Sequence, residues 1–254
     1  DFGDRTSTKT GKTVTHAYAK AGAYNVTLTT TDEHGAKNTT WQPITVLKHD
    51  VAVVDVTPSK FGVIQGDTLN INVTVENQGD FDEFNVTVAA YANETEIGEK
   101  TILFLVKGIN ETVTIPWNTT GFSKGSYTIR AEASVVPDET ETADNSRFDG
   151  YVGVTVHDVA VISVIASKNV ASQGEIVDIN VTVENQGSYS ETFNLTTYYN
   201  GNLINTTRDV FLNIGTSETL SLPWNTSTVV PGSYNICANA SVVENETDIA
   251  DNIN

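Results

Sequence analysis

The chain carries its own near-copy. QGDTLNINVTVENQG at residues 65–79 returns as QGEIVDINVTVENQG at residues 173–187, an offset of 108 residues. IPWNTT, starting at Ile115, returns as LPWNTS from Leu222 at an offset of 107, so the spacing holds over a whole domain length with one residue of slippage. A tandem duplication follows, and whatever fold the chain adopts must be built from a unit of this length. Within the repeated block Leu69, Ile71, Val73 and Val75 alternate with Asn70, Asn72, Thr74 and Glu76. That is the period of two of a strand with one buried and one wet face. The unit is therefore a β domain, and each copy is long enough to bury a core of its own.

Further alternating runs in the first copy predict strands near 51–56, 84–91, 101–106, 112–117, 126–136 and 148–156, with glycines between them and no segment suited to a helix. Seven or eight short strands separated by turn signals predict an antiparallel sandwich. The expected class is all-β, with tandem Ig-like antiparallel β-sandwiches. The expected divisions are 1–47, 48–156 and 157–254. The second copy stops just after ADN at Ala250–Asn252, where the first continues into YVGVTV, so its last strand is expected to lie outside these residues.

Charge and cysteine usage narrow the partners. With 32 acidic against 14 basic residues the formal net charge is −18, which opposes attraction to nucleic acid or anionic lipid. The one cysteine, Cys237, excludes an internal disulfide framework. No apolar run approaches the ~18 residues of a membrane span, no signal peptide opens the chain, and methionine is absent. These features suit an excised segment, with any anchor or secretion signal expected elsewhere.

Catalytic patterns are weak. Gly121-Phe122-Ser123-Lys124-Gly125 fits G-x-S-x-G, but that nucleophile needs a strand-to-helix turn, and here it falls between two strands and becomes STVVPG in the second copy. Gly11-Lys12-Thr13 lacks the first glycine of a phosphate-binding loop, Thr6 standing in its place. None of His16, His34, His49 and His157 is spaced as a metal-ligand pair. His49 and His157 are repeat equivalents with an expected structural use, and Trp117 and Trp224 are equivalents expected in the cores. Trp41 is the expected exposed aromatic.

Two features point outward to ligands. The acidic loops PDETETADN and ENETDIADN each gather four carboxylates, Asp138, Glu139, Glu141 and Asp144 in the first and Glu244, Glu246, Asp248 and Asp251 in the second. These are hard oxygens suited to Ca²⁺, although not in EF-hand spacing, and the bland alternative is a solvated acidic turn. The other feature is a modification pattern. Thirteen N-x-S/T sequons begin at Asn25, Asn38, Asn72, Asn85, Asn93, Asn110, Asn118, Asn180, Asn194, Asn205, Asn225, Asn239 and Asn245, against about five from composition alone. Outward strand positions that favour Asn and Thr generate part of this excess. N-linked glycans are nonetheless expected, with Asn72, Asn85 and Asn180 facing out.

Residues 1–46 carry DFGDR, THAY, GAYNVTLTTTDEHG and QPITV in that order. They resemble the later half of a PKD domain, with Arg5 where that family has Gly. The resemblance implies about three strands with one uncovered apolar face. The repeats, through HDVAVVDV and HDVAVISV, INVTVENQG, PWN, GSY and the ETADN loop, resemble the CARDB (cell-adhesion-related) family of bacteria and archaea. That resemblance implies non-catalytic surface modules strung in series and mixed with PKD domains in archaeal exported proteins. With the sequons and the unfinished ends of the chain, it leads to the expectation of a glycosylated extracellular protein, partnered by copies of the chain or by neighbouring domains through β-strand addition, in an archaeal surface layer, stalk or filament. The rival is a carbohydrate-binding or spacer portion of a larger secreted hydrolase.

Overall fold

The computed structural model describes every residue, Asp1–Asn254. All of its regular structure is β, in sixteen strands. The N-terminal part is one hairpin, β1 (Gly22–Thr31) against β2 (Lys37–Val46), paired without a register break. It holds two strands where three were expected, because residues 2–18 form no strand and are tied by side-chain hydrogen bonds instead. Leu28, Trp41 and Ile44 remain exposed, at 59%, 65% and 40%, so the uncovered apolar face and the exposed Trp41 are as the sequence implied.

What orders the front segment is a small polar and aromatic knot. His16 stacks on Phe2 at 4.0 Å and holds Asp4 Oδ2 with Nε2 at 2.6 Å, while Tyr18 donates to the Phe2 carbonyl at 3.0 Å. The Thr6 hydroxyl donates to the Asp4 carboxylate, and this bond, with a lesser one from His16, holds Asp4 at about 2. A carboxyl whose folded pKa lies below its unfolded value of about 3.9 stabilises the fold at higher pH and loses that contribution as pH falls toward the folded value. The Asp4 carboxyl carbon is therefore expected to titrate near pH 2 by NMR; a midpoint near 4 would mean the knot does not form in solution.

The first repeat supplies β3 (Val51–Pro58), β4 (Gly62–Ile64), β5 (Thr68–Asn77), β6 (Glu83–Ala92), β7 (Thr95–Leu105), β8 (Asn110–Asn118), β9 (Gly125–Ala133) and β10 (Ser146–Thr155). They form a three-stranded sheet, β3-β5-β8, and a five-stranded sheet, β4-β10-β9-β6-β7. The second repeat supplies β11 (Val159–Ala166), β12 (Ile176–Asn185), β13 (Glu191–Tyr199), β14 (Asn202–Leu212), β15 (Ser217–Asn225) and β16 (Ile236–Ala240), in sheets β11-β12-β15 and β14-β13-β16. Alternation does the work foreseen for it. In β12, Val177, Ile179, Val181 and Val183 are buried at 3% exposure or less, and they share one core with Phe193, Leu195, Leu212 and Ala238 of the facing sheet. Residues Asn252–Asn254 continue the pattern by pairing with β16. One strand was not anticipated: β4, three residues that pair in parallel with Gly153–Thr155 of β10.

By compactness the chain divides into two units. One comprises Asp1–Ser59, Asn70–Pro116 and Thr128–Gly150, and the other comprises Lys60–Leu69, Trp117–Tyr127 and Tyr151–Asn254. Inside the first, Val51, Val56, Ile71, Val73, Val86, Val88 and Ile129 are fully buried. Inside the second, Trp117 is 1% exposed, with Phe122 and Tyr127 edge-on at 5.1 and 5.7 Å. Its repeat equivalent Trp224 is only half-buried. It stacks on Tyr199 at 4.9 Å beside a groove of about 490 Å³, also lined by Val170, Val229 and Tyr234. The reason is substitution: Val229 stands where Phe122 caps the first tryptophan.

Candidate functional site

The repeated words ENQG and HDVAV meet at one end of each sandwich. Asn77 is fully buried. Its amide nitrogen donates to the carbonyls of Phe81 and Leu105 at 2.8 and 2.9 Å, and its oxygen accepts from Gly79 N at 2.9 Å. Asn185 repeats this with Tyr189 and Leu212 at 2.7 and 3.2 Å and Gly187 at 2.9 Å. Glycine is required at 79 and 187 by close approach. A Cβ at Gly187 would lie 2.9 Å from Asp158 N and 3.0 Å from Val156 O. Beside this knot His49 Nδ1 meets Glu83 at 2.7 Å over the Phe81 ring, and His157 meets Glu191 at 2.7 Å over Tyr189. Both histidines thus serve the structure.

The acidic loops come to the same end and separate their carboxylates into distinct roles. Glu139 accepts from Val51 N at 2.7 Å, from Val136 N at 2.8 Å and from the Asn145 amide. Glu246 does the same with Val159 N, Val243 N and Asn252. These two carboxylates fasten the loop to the first strand of the sandwich. Asp138, Glu141, Glu244 and Asp248 are exposed, Asp138 with a left-handed backbone (φ 64). Asp144 and Asp251 are half-buried, and each gives its backbone carbonyl to that same strand, to Val53 N and Val161 N, both at 2.8 Å. No group of three or more His, Cys, Asp or Glu side chains is arranged to hold a metal ion.

Two carboxylates that local spacing did not single out, Asp50 and Asp158, join these clusters. Asp50 is 1% exposed and paired with Lys48. Burial, then the charge of Asp251, pushes Asp158 up to about 6. Burial likewise raises Asp144 and Asp251. The signal available in the sequence was an acid retained in both copies of HDVAV, directly before the apolar run.

Ser123 lies in the loop between β8 and β9, with no helix after it, and its carbonyl accepts from Tyr127 OH at 2.8 Å. It has none of the geometry of an activated nucleophile. None of the thirteen sequon asparagines is buried: Asn72, Asn180, Asn205 and Asn239 are half-buried and the other nine are exposed. Asn85, Asn93 and Asn245 have left-handed backbones (φ 55, 53 and 62), which Asn tolerates better than most residues. That gives those three a conformational reason to be Asn as well.

Two tandem antiparallel sandwiches, each closed at one end by the same buried asparagine and glutamate hydrogen bonds, define a repeated β module. The CARDB family model matches residues 48–147 and 157–252, and a PKD domain model matches residues 1–46. The chain belongs to the CARDB family, with a PKD domain part before the repeats. Both are domain families typical of cell-surface and adhesion-related proteins, and neither is catalytic. No helix of the chain is long and apolar enough to cross a membrane.

Among solved structures, the chain is similar to the CARDB domain of a Pyrococcus furiosus protein in complex with di-metal ions. The identity is 23%, covering 42% of this chain and 89% of that one, with a TM-score of 0.36. An NMR structure of the same domain matches at 23% identity, covering 42% and 93%, with a TM-score of 0.31. Red sea bream transglutaminase matches at 12% identity with a TM-score of 0.30, over 78% of this chain but 29% of that enzyme. Comparison with curated proteins gave no match.

Proposed function

We propose that the protein is a structural and adhesive glycoprotein of an archaeal cell surface, its Ig-like modules acting as beads of a surface layer, stalk or extracellular filament. The observation that carries the reading is the accessibility of all thirteen sequons on modules whose repeated polar groups are used internally. Such a surface takes glycans without disturbing the core. The partners in this reading are further copies of the chain or neighbouring domains, added by main-chain pairing at open sheet edges such as β7, β14 and β15.

Peptide mapping of native material is expected to find N-glycans at many sequons, foremost the nine exposed ones, and also at Asn72 and Asn180. Asn205 is expected to be among the last occupied, because its amide nitrogen faces the Pro223 carbonyl at 3.5 Å. Finding every sequon bare would overturn the reading. Light scattering tests the assembly part, with concentration-dependent association as the expected result.

A second reading, a carbohydrate-binding or spacer portion of a larger secreted hydrolase, is favoured by one feature, the 65% exposed Trp41. It requires saturable sugar binding that Trp41→Ala abolishes on a glycan array.

A further inference from the structure

We propose that the groove beside Trp224 receives an extended strand from another molecule, one with the apolar pattern of β10, lying against β16 on one side and residues 170–172 on the other. This deepens the proposed function, because it rests on that reading's strand addition between modules and gives it a defined slot.

The first sandwich supplies the template. There β10 lies between β4 and β9 in the sheet, and Gly153–Thr155 pair in parallel with β4. Gln65 N donates to the Thr155 carbonyl at 2.8 Å, and the Thr155 hydroxyl donates to the Val63 carbonyl at 3.1 Å. Val152 and Val154, two residues apart on β10, are 0% and 2% exposed, and Leu69 and Trp117 at the same end are 2% and 1% exposed.

By the repeat offsets, residues 170–172 stand for β4, Val177 for Leu69, Trp224 for Trp117 and β16 for β9. The frame around them is unchanged. Gln173 Nε2 donates to the Val229 carbonyl at 3.0 Å, as Gln65 Nε2 does to that of Phe122 at 2.8 Å. Gly174 N donates to Thr226 Oγ1 at 3.1 Å, as Gly66 N does to Thr119 Oγ1 at 3.0 Å. Between these fixed sides the second sandwich has a groove of about 490 Å³ where the first has β10. Residues 170–172 accordingly form no strand, Val170 is 88% exposed, and β16 has five residues against nine in β9. The open slot adds to the exchange of Phe122 for Val229 in leaving Trp224 half-buried, and it leaves Ile236 half-buried too.

The groove selects for a strand. The carbonyls of Asn252 and Asn254 accept from Ala240 N and Ala238 N at 2.9 and 2.8 Å, so these residues take up one part of the outer side of β16. By the period of two, the N–H and C=O of Ile236 point to that side as well, one step farther along, where the groove begins. An incoming backbone can pair there and bury β-branched side chains against Val177, Trp224 and Ile236. Edges such as β7 or β15 offer main-chain pairing alone, whereas this slot adds side-chain burial, which fixes register.

The test titrates the whole chain into a dye-labelled peptide of residues 148–156, FDGYVGVTV, and reads its anisotropy. Saturable binding with a Kd of about 10–100 μM is expected. At ten times Kd the melting temperature of the second sandwich should rise by roughly 6 °C. Val170→Asp places a charge in the groove at an exposed position outside any strand, so the fold is kept and the peptide should bind about tenfold more weakly or worse. A chain extended after Asn254 by the same segment fills its own groove and should not bind the peptide. No binding up to about 1 mM would overturn the proposal, and so would binding undiminished in either variant, which would place the peptide on an outer edge. Failure here is distinct from failure of the surface reading, which glycan mapping and light scattering decide.

Discussion

Asn185→Ala is expected to destabilise the second sandwich by about 3 kcal/mol, because it leaves the buried carbonyl of Leu212 and the part-buried one of Tyr189 without the donor they share and removes one acceptor of Gly187 N. For a module of about 100 residues this lowers the melting temperature by roughly 12 °C or more. Asn185→Asp should fare no better, since an acid keeps the acceptor for Gly187 but turns a buried oxygen toward two others. The same substitutions at Asn77 should act on the first sandwich alike. Differential scanning calorimetry separates these outcomes, and a change below about 1 kcal/mol would mean that the carbonyls find other donors.

Trp117→Ala is expected to cost the first sandwich about 4 kcal/mol through lost burial and the cavity left behind. The side chain is 1% exposed, with aromatic contacts to Phe122 and Tyr127. Trp117→Phe should cost much less, because the indole nitrogen has no hydrogen-bond partner to lose. Trp224→Ala should cost less than Trp117→Ala, since the second tryptophan is half-buried beside an open groove. Equal losses at the two positions, measured by chemical denaturation, would contradict the packing difference between Phe122 and Val229.

Most of the strand framework was legible in the residues because these sheets bury one face, and one-sided burial writes itself as alternation. β5 and β12 were found residue by residue in this way, Val73 and Val181 pointing in and Thr74 and Thr182 out. β4 was not, because three residues paired in parallel to β10 leave no period to detect. The roles of the thirty-odd acids were harder to read. Glu139 and Asp138 look alike in the string PDETETADN, but Glu139 is held by Val51 N, 88 residues away, and Asp138 is in solvent. Asp158 entered the cluster through backbone pairing of its strand with a distant loop, which spacing along the chain cannot report. The histidines were readable as structural from their repetition, whereas their glutamate partners, 34 residues on in each copy, were not.

β5 and β12 share the nine-residue word INVTVENQG, and near-identity of neighbouring modules carries a hazard during folding. A strand from one copy presents the other with matching apolar side chains and the same asparagine and glycine for the end knot, so a wrongly exchanged strand would meet little resistance from register. The partners that would receive it, IPWN of β8 and LPWN of β15, are almost as similar. Discrimination must then come from connectivity and timing, with the first module closing on itself before the second emerges. For a chain made from its N-terminus, synthesis itself acts as the proofreader that the sequence of these strands does not supply.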